Sequence, residues 1–274
     1  MRRLKFALRE YMAPGKTLIE KFESIASMEI AGIELVASAS REHFDDVRRA
    51  SEETGVVPAI WSVREGALLD ARKEERMRYL RCAKETLDMC GELGGVGIIV
   101  VTLLPIKLGG RPRIPDLSPW KSQEQVEMEV MVEMLSELSE HAQKRNCSLL
   151  IEPLNRYEQW YPRTLKEASA ICERVGNEAM AILADFFHMN IEEADIASSI
   201  KEAATRIKHV HLADSNRWLP GYGHTKFARP LKELMSSGYD GFFGFECHIP
   251  GDPFVELPKA MDYIEQCAFH DGDY

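Results

Sequence analysis

The chain has 274 residues, of which 45% are hydrophobic and 28% are charged, and its formal net charge at pH 7 is −10. This composition is typical of a globular protein with a sizeable core, and the negative charge disfavours a nucleic-acid partner, which is normally held by a basic face. The longest apolar run, residues 96–104, is about half of what a membrane-spanning helix needs, so we expect no membrane partner.

The N-terminal segment and the cysteines both bear on the compartment. Residues 1–9 are basic, but charged residues interrupt their apolar stretch and no small-residue cleavage site follows, so we interpret them as a first strand rather than a secretory signal. The six cysteines show no Cys-x-x-Cys spacing and no paired rhythm, which is typical of free thiols in a reducing compartment. Together these features predict a cytoplasmic protein.

Short apolar runs recur about every thirty residues along the chain, and they alternate with charged segments. In the charged segments apolar residues return at three- and four-residue spacing, as Leu18, Phe22 and Ile25 do, which predicts amphipathic helices. Eight strand and helix units predict an α/β protein with a parallel sheet. Their regularity, without a glycine-rich first turn, favours a single-domain (β/α)8 TIM barrel over 1–274 rather than a doubly wound open sheet. The predicted strands are 4–8, 32–37, 56–61, 96–103, 147–152, 180–185, 209–212 and 241–246.

The segment 105–120, after the fourth predicted strand, is the main irregularity, with four prolines and two glycines. In a barrel it would overhang the mouth, and we expect either a lid over the site or a surface excursion that serves subunit contact. A homo-oligomer, dimer or tetramer, is compatible with the second interpretation. Trp61, at the end of the third strand, is predicted either to pack on a ligand or to belong to the core.

Four residues of metal-ligand type stand at the ends of the last four predicted strands: Glu152, Asp185, His211 and Glu246. In a (β/α)8 barrel the carboxyl ends of the strands form the active site. Three converging carboxylates would repel one another and lose hydration unless protons or a cation neutralised them. Oxygen ligands with one imidazole suit manganese, magnesium or cobalt, and zinc is the second choice. His209 shares a strand face with His211, and we interpret it as a structural residue or a hydrogen-bond partner of a ligand.

These local sequences resemble the xylose-isomerase-like sugar isomerases and epimerases, in particular the ketose 3-epimerases similar to D-tagatose 3-epimerase. Over the first half of the chain the resemblance extends only to the pattern of strands. The motifs that carry it are Glu152-Pro-Leu-Asn-Arg-Tyr-Glu158, Asp185-Phe-Phe-His188, His209-Val-His211-Leu-Ala-Asp-Ser-Asn-Arg217 and Phe245-Glu246.

The resemblance implies a role for each of these positions. It implies that the four residues named above hold the metal, and that Glu152 and Glu246 also transfer the proton. It further implies that Glu158, His188 and Arg217 contact the oxygens of the sugar.

Epimerisation of a sugar explains why paired glutamates and a metal would occur together. Inverting a carbon next to a ketone requires two bases on opposite faces, and a metal stabilises the enediolate between the two proton transfers. We therefore predict a metal-dependent epimerase of a ketose or keto-sugar acid at C3. Arg111 and Arg113 suggest a keto-sugar acid as the substrate, because a guanidinium binds a carboxylate through two hydrogen bonds.

Other functions remain as alternatives. The same enediol can be protonated at either carbon, which would make the protein an aldose-ketose isomerase similar to hydroxypyruvate or xylose isomerase. An AP-endonuclease-like phosphodiesterase would need more histidine ligands and DNA-gripping loops. A non-catalytic sugar-binding protein would need a pocket but no paired carboxylates.

Overall fold

The computed structural model of the chain describes residues 4–102 and 112–270. Eight parallel strands follow one another in chain order around a closed barrel, and β8 pairs with β1. The predicted (β/α)8 barrel is therefore confirmed, and the open-sheet alternative is wrong. The strands are β1 (Lys5–Arg9), β2 (Gly32–Leu35), β3 (Val57–Ser62), β4 (Gly97–Val100), β5 (Ser148–Ile151), β6 (Met180–Asp185), β7 (Ile207–Leu212) and β8 (Phe242–Phe245).

Amphipathic helices surround the barrel, and local sequence signals fix their ends. Thr17 accepts a hydrogen bond from the Glu20 N–H while the Glu20 side chain accepts one from Thr17, which forms a capping box at the start of the first helix. Gly55 ends the second helix at φ 75°, a left-handed conformation that glycine adopts without strain. The helices are α1 (Leu18–Ser27), α2 (Phe44–Thr54), α3 (Lys73–Glu92), α4 (Gln123–Lys144), α5 (Leu165–Val175), α6 (Phe186–Glu192), α7 (Ile196–Ala203), α8 (Ala228–Ser236) and α9 (Pro253–Phe269).

Alternation along the strands separates the barrel interior from the shell beneath the helices. Leu149 belongs to the main apolar core, whereas Leu150 and Leu183 belong to a separate small apolar cluster. Because successive side chains of a strand point to opposite faces, this small cluster fills the barrel interior. Glu152 and Asp185 lie two residues further along, and their side chains therefore enter the same interior nearer the carboxyl ends of the strands.

The segment 105–120 is described only in part, because residues 105–111 lie outside the described ranges. Its later part is tied to the loop after β3: the Ala71 N–H donates to the Pro112 carbonyl at 3.0 Å. Arg113 forms an isolated antiparallel bridge with Asp70. Trp120, at the end of the segment, is 85% exposed. The lid function stays a prediction.

Trp61 is fully buried and its indole N–H donates to the Pro58 carbonyl at 2.9 Å, so it belongs to the core rather than to a ligand site. All six cysteines are free. Within the two described ranges, no helix has both the length and the apolar character required to cross a membrane.

Candidate active site

The structure brings Glu152, Asp185, His211 and Glu246 together at the carboxyl ends of β5 to β8. One ligand atom from each lies within 4.8 Å of the others. The centre of the group is His211 Nδ1, which lies 3.1 Å from Glu246 Oε2, 3.3 Å from Glu152 Oε1 and 3.7 Å from Asp185 Oδ2. The register explains this arrangement, since Asp185 pairs directly with His211 across β6 and β7.

Asp185 has two structural roles, because it is both the last residue of β6 and the N-cap of α6. Its Oδ1 accepts the Phe187 backbone N–H at 2.7 Å, and its Oδ2 accepts Arg217 Nη1 at 2.8 Å. Burial alone would raise the pKa of Asp185, but the charges of Arg217 and His188 hold it well below its usual range. The residue is therefore a carboxylate whose second oxygen faces the cluster.

His211 is oriented from behind by Glu34, a fully buried residue of β2. His211 Nε2 lies 2.9 Å from Glu34 Oε2, and His209 Nε2 lies 2.8 Å from Glu34 Oε1. Because an ionised carboxylate only accepts hydrogen bonds, each Nε2 carries a proton. His211 therefore presents Nδ1 to the carboxylates at the mouth. His209 was predicted as a structural residue or as a partner of a ligand, and its hydrogen bond goes to Glu34.

Two buried atoms of the cluster, His211 Nδ1 and Glu152 Oε1, have no hydrogen-bond partner among the described residues. Burial would lower the pKa of His211, but the charges of Glu34 and Glu246 raise it well above its usual range. The position thus attracts positive charge, from a proton or from a metal ion. Three carboxylates and one imidazole fit a divalent cation that prefers oxygen and nitrogen ligands.

Two arginines contact Glu246, the fourth residue of the cluster. Arg217 Nη2 donates to Glu246 Oε2 at 2.8 Å, and Arg9 Nε lies 3.1 Å from Glu246 Oε1. The Tyr11 hydroxyl donates to the same Oε1 at 3.3 Å. Burial would raise the pKa of Glu246, but Arg9, His211 and Arg217 hold it well below its usual range. Burial and the charge of Glu246 raise the pKa of Tyr11 to about 12.

A cavity of about 430 Å³ opens beside the cluster, within the range of small-molecule sites. The three residues predicted to contact substrate, Glu158, His188 and Arg217, lie in its wall together with Glu152 and Glu246. The part of the wall formed by the loop after β3 is mainly apolar. It includes Val63, Ala67, Leu68 and Leu69.

His188 is held in one orientation by the loop after β5. Both the backbone N–H and the side-chain amide of Asn155 point to His188 Nδ1, at 3.1 and 2.8 Å. Nδ1 therefore acts as the acceptor, and the proton resides on Nε2, which lies 3.7 Å from Asp185 Oδ2. This leaves His188 as a hydrogen-bond donor at the edge of the cavity.

Arg113 differs from the sequence-based expectation that it would bind a substrate carboxylate. Its Nε and Nη2 donate to the two carboxylate oxygens of Glu127 at 2.9 and 2.6 Å, and its guanidinium lies 3.1 Å from the Trp160 ring centroid. These residues line a second cavity that contains none of the four cluster residues. The Arg113 guanidinium does bind a carboxylate, but that carboxylate is the side chain of Glu127 in α4 rather than a substrate. Arg111 lies outside the described residues.

The sequence interpretation missed Glu34 and Arg9. Both are charged residues within apolar strands of the first half of the chain. Both occupy strand positions whose side chains point into the barrel. That unusual placement was a detectable signal, because a buried charge requires a partner. The partner could not be read from the sequence, since Glu34 and His209 are 175 residues apart.

Comparison with known proteins places the chain in a family. The family model described as the xylose isomerase-like TIM barrel matches residues 22–267. The chain belongs to this family. The predicted resemblance to xylose-isomerase-like enzymes is thereby confirmed.

The xylose isomerase-like relatives that match the chain include carbohydrate epimerases, which are isomerases. The 3-dehydro-D-guloside 4-epimerase of Escherichia coli K12 is 28% identical over 92% of this chain and 95% of its own. The L-ribulose 3-epimerase of Mesorhizobium japonicum is 28% identical over 81% of this chain and 74% of its own. The apo crystal structure of 3-keto-D-glucoside 4-epimerase from E. coli superposes with a TM-score of 0.86 at 26% identity, covering 97% of this chain and 100% of that one.

Proposed function

We propose that the protein is a metal-dependent epimerase that inverts the carbon next to the ketone of a small keto sugar. The observation that carries this proposal is the convergence of Glu152, Asp185, His211 and Glu246 within 4.8 Å beside a cavity of about 430 Å³. Paired carboxylates beside a cation site supply both requirements of the reaction, proton transfer and stabilisation of negative charge.

The metal would be held by the same four residues. Their fit to a divalent cation rests on the unpartnered His211 Nδ1 and Glu152 Oε1 and on the oxygen-rich donor set. When bound, such an ion would supply positive charge that stabilises a negatively charged enediolate by several kcal/mol. Manganese is the ion we favour, with magnesium or cobalt as alternatives.

The two glutamates would move the proton. Glu152 follows β5 and Glu246 follows β8, so the two carboxylates enter the cavity from different strands and can address opposite faces of one carbon. One takes the proton from the carbon next to the ketone, and the other returns a proton to the opposite face. Glu246, held by Arg9, Arg217 and Tyr11, has its carboxylate fixed at both oxygens.

Substrate oxygens would be held by Glu158, His188 and Arg217. The Nε2–H of His188 and the guanidinium of Arg217 are donors in the cavity wall, and the Glu158 carboxylate is an acceptor there. Donors favour the enediolate because they can follow the negative charge that develops on its oxygens. Arg217 and Arg9 already pair with carboxylates of the site, and therefore we favour a neutral keto sugar over a keto-sugar acid.

Two epimerisations share this chemistry and differ in the position of the ketone. The first is inversion at C3 of a 2-ketose, the reaction named for L-ribulose 3-epimerase. The second is inversion at C4 of a 3-keto glycoside. The E. coli 4-epimerase aligns over 92% of this chain, which supports C4 inversion as the second candidate reaction.

Solvent exchange tests the proposal. The protein is incubated in D2O with manganese and a panel of ketopentoses, ketohexoses and methyl 3-keto-glucosides, and NMR locates the deuterium. We expect deuterium and an inverted centre at the carbon next to the ketone, and loss of both with excess EDTA. A product aldose would instead favour the isomerase, and no exchange with any member of the panel would refute the proposal.

Glu246→Gln provides the matched chemical test. It should abolish exchange, whereas Glu133→Gln, an exposed change on the outer helix α4, should leave exchange unchanged. Equal exchange by the Glu246→Gln protein would exclude Glu246 from proton transfer.

A further inference from the structure

Beneath the cluster at the mouth lies a second group of polar side chains, formed by Glu34, His209 and His211, in which every member is fully buried. Glu34 accepts from both imidazoles, at 2.8 and 2.9 Å, and Arg9 Nη1 approaches its Oε2 at 3.5 Å. None of the steps proposed above uses Glu34. A buried carboxylate requires compensating charge or hydrogen bonds, and here the two imidazoles and Arg9 supply them.

The barrel leaves room for this carboxylate at one specific position. Gly244 of β8 pairs with His211 in register, and a Cβ built on Gly244 would overlap Glu34 Oε1 and lie 3.0 Å from His209 Nε2. Any residue other than glycine would therefore displace the Glu34 carboxylate. The glycine and the glutamate, from strands at opposite ends of the chain, fit each other.

The three residues form a hydrogen-bonded support rather than a second metal site. The distances from Glu34 oxygens to the two Nε2 atoms are those of hydrogen bonds, and each oxygen is matched to one N–H donor. A cation at the same place would need both imidazoles to lose these protons. His211 would also have to serve two ions with its two nitrogens.

We infer that Glu34 is a positioning residue for the metal site: it holds the proton of His211 on Nε2 and fixes the ring so that the Nδ1 lone pair points at the cluster. His209 holds the other oxygen of Glu34 and prevents the carboxylate from rotating. The inference rests on the proposed function only in assuming that the four residues at the mouth bind a metal. Partners of this type typically change metal affinity by about 10–100-fold when they are removed.

Glu34→Gln tests the inference with little change in shape. The glutamine has one neutral acceptor oxygen for two N–H donors. If its amide NH2 faces His211, that ring must move its proton to Nδ1; if its oxygen faces His211, the hydrogen bond lacks the carboxylate charge and holds the ring less firmly. We expect Mn²⁺ affinity, measured by EPR of free Mn²⁺ during titration, to fall by about 10-fold or more. At saturating Mn²⁺ most of kcat should return, because Glu34 does not touch substrate. Affinity within twofold of the wild type would overturn the inference.

Glu10→Gln is the matched control. Glu10 is also buried, and it accepts hydrogen bonds from the Val36 N–H, the Ser38 N–H and the Ser38 Oγ–H at 2.7, 3.0 and 2.7 Å, and neither partner belongs to the metal cluster. This variant should lower thermal stability but leave Mn²⁺ affinity within twofold. An equal loss of affinity in both variants would show a general structural effect and would overturn the positioning role.

The two proposals fail in distinguishable ways. If wild-type protein binds no Mn²⁺, or if Asp185→Asn leaves its binding unchanged, the proposed metal site fails. If the wild type binds Mn²⁺ through Asp185 and Glu34→Gln binds it equally well, only the role of Glu34 fails.

Discussion

At the scale of single residues, the four side chains of the cluster differ in what else they contact. Asp185 caps α6 and meets Arg217, whereas Glu246 is approached by Arg9, Arg217 and Tyr11 on both oxygens. The ring of His211 donates a hydrogen bond to Glu34, which fixes its orientation. Substitutions that remove one charge should therefore have unequal consequences, although all four residues share one site.

Asp185→Asn should chiefly weaken metal binding. Asparagine can still cap α6, so the fold is retained while the cluster loses one negative charge. We expect Mn²⁺ affinity to fall by about 10-fold or more, with exchange partly restored at high Mn²⁺. Isothermal titration and deuterium exchange on the same sample measure both effects. Unchanged affinity would remove Asp185 from the ligand set.

Glu246→Gln should behave in the opposite manner. Glutamine cannot accept the proton, so kcat should fall by about 10²–10⁴-fold even when Mn²⁺ saturates the protein. Steady-state kinetics at several Mn²⁺ concentrations separate the two cases. Recovery of wild-type kcat at high Mn²⁺ would show that Glu246 is a ligand and not a base.

At the scale of elements, the loop after β7 is organised by one buried carboxylate. Asp214 accepts the backbone N–H groups of Ser215, Gly221 and Thr225 at 2.7, 2.9 and 2.9 Å. Burial would raise the pKa of Asp214, but hydrogen bonds from the backbone N–H groups of Thr225, Ser215 and Gly223 lower it below its usual range. The same loop carries Arg217 with a left-handed φ of 63°, which is uncommon for a residue other than glycine.

Asp214→Asn should loosen this loop and make stability less dependent on pH. A carboxylate whose pKa is lowered on folding stabilises the protein above its unfolded pKa, about 3.9, and loses that contribution as pH falls through the folded value. The difference in unfolding free energy between wild type and variant should be full at pH 6 and shrink below about pH 4. Urea unfolding at several pH values measures it. A difference that grows in acid would contradict this role.

The sequence predicted the elements and the ligand-type residues of the second half because both depend on local pattern. Apolar runs fix strands, and alternation fixes which face carries Glu152 or His211. Arg113 shows the limit of this reasoning: its type predicted a bound carboxylate, but the sequence did not show that Glu127 would supply it. Glu34 shows the same limit, because its partners meet it only when the barrel closes.

At the scale of the whole molecule, metal binding should stabilise the barrel. An ion that binds only the folded state at 100 times its Kd adds about 2.7 kcal/mol. For a chain of this size that corresponds to a Tm increase of about 5–10 °C. Calorimetry with EDTA and then with excess Mn²⁺ should show the rise, and Asp185→Asn should reduce it. An increase of the same size in that variant would place the ion elsewhere.

Barrel closure also explains why the support of the site lies far from the ligands in sequence. The pairing of β8 with β1 brings Arg9 beside Glu246, and the interior of the barrel brings Glu34 beside His209 and His211. Contacts of this kind form only when all eight strands close into the barrel. They form between residues that no local pattern connects.

The uneven division of the site between the two halves of the barrel has a consequence for protein engineering. A fragment that begins at Ser148 would contain every proposed metal ligand, but it would lack Glu34 and Arg9. Duplicating this half to build a symmetric barrel would therefore copy the ligands without the carboxylate that orients His211. A chimera that retains metal affinity would need to inherit β2 together with β7 and β8, including Gly244, as one matched set.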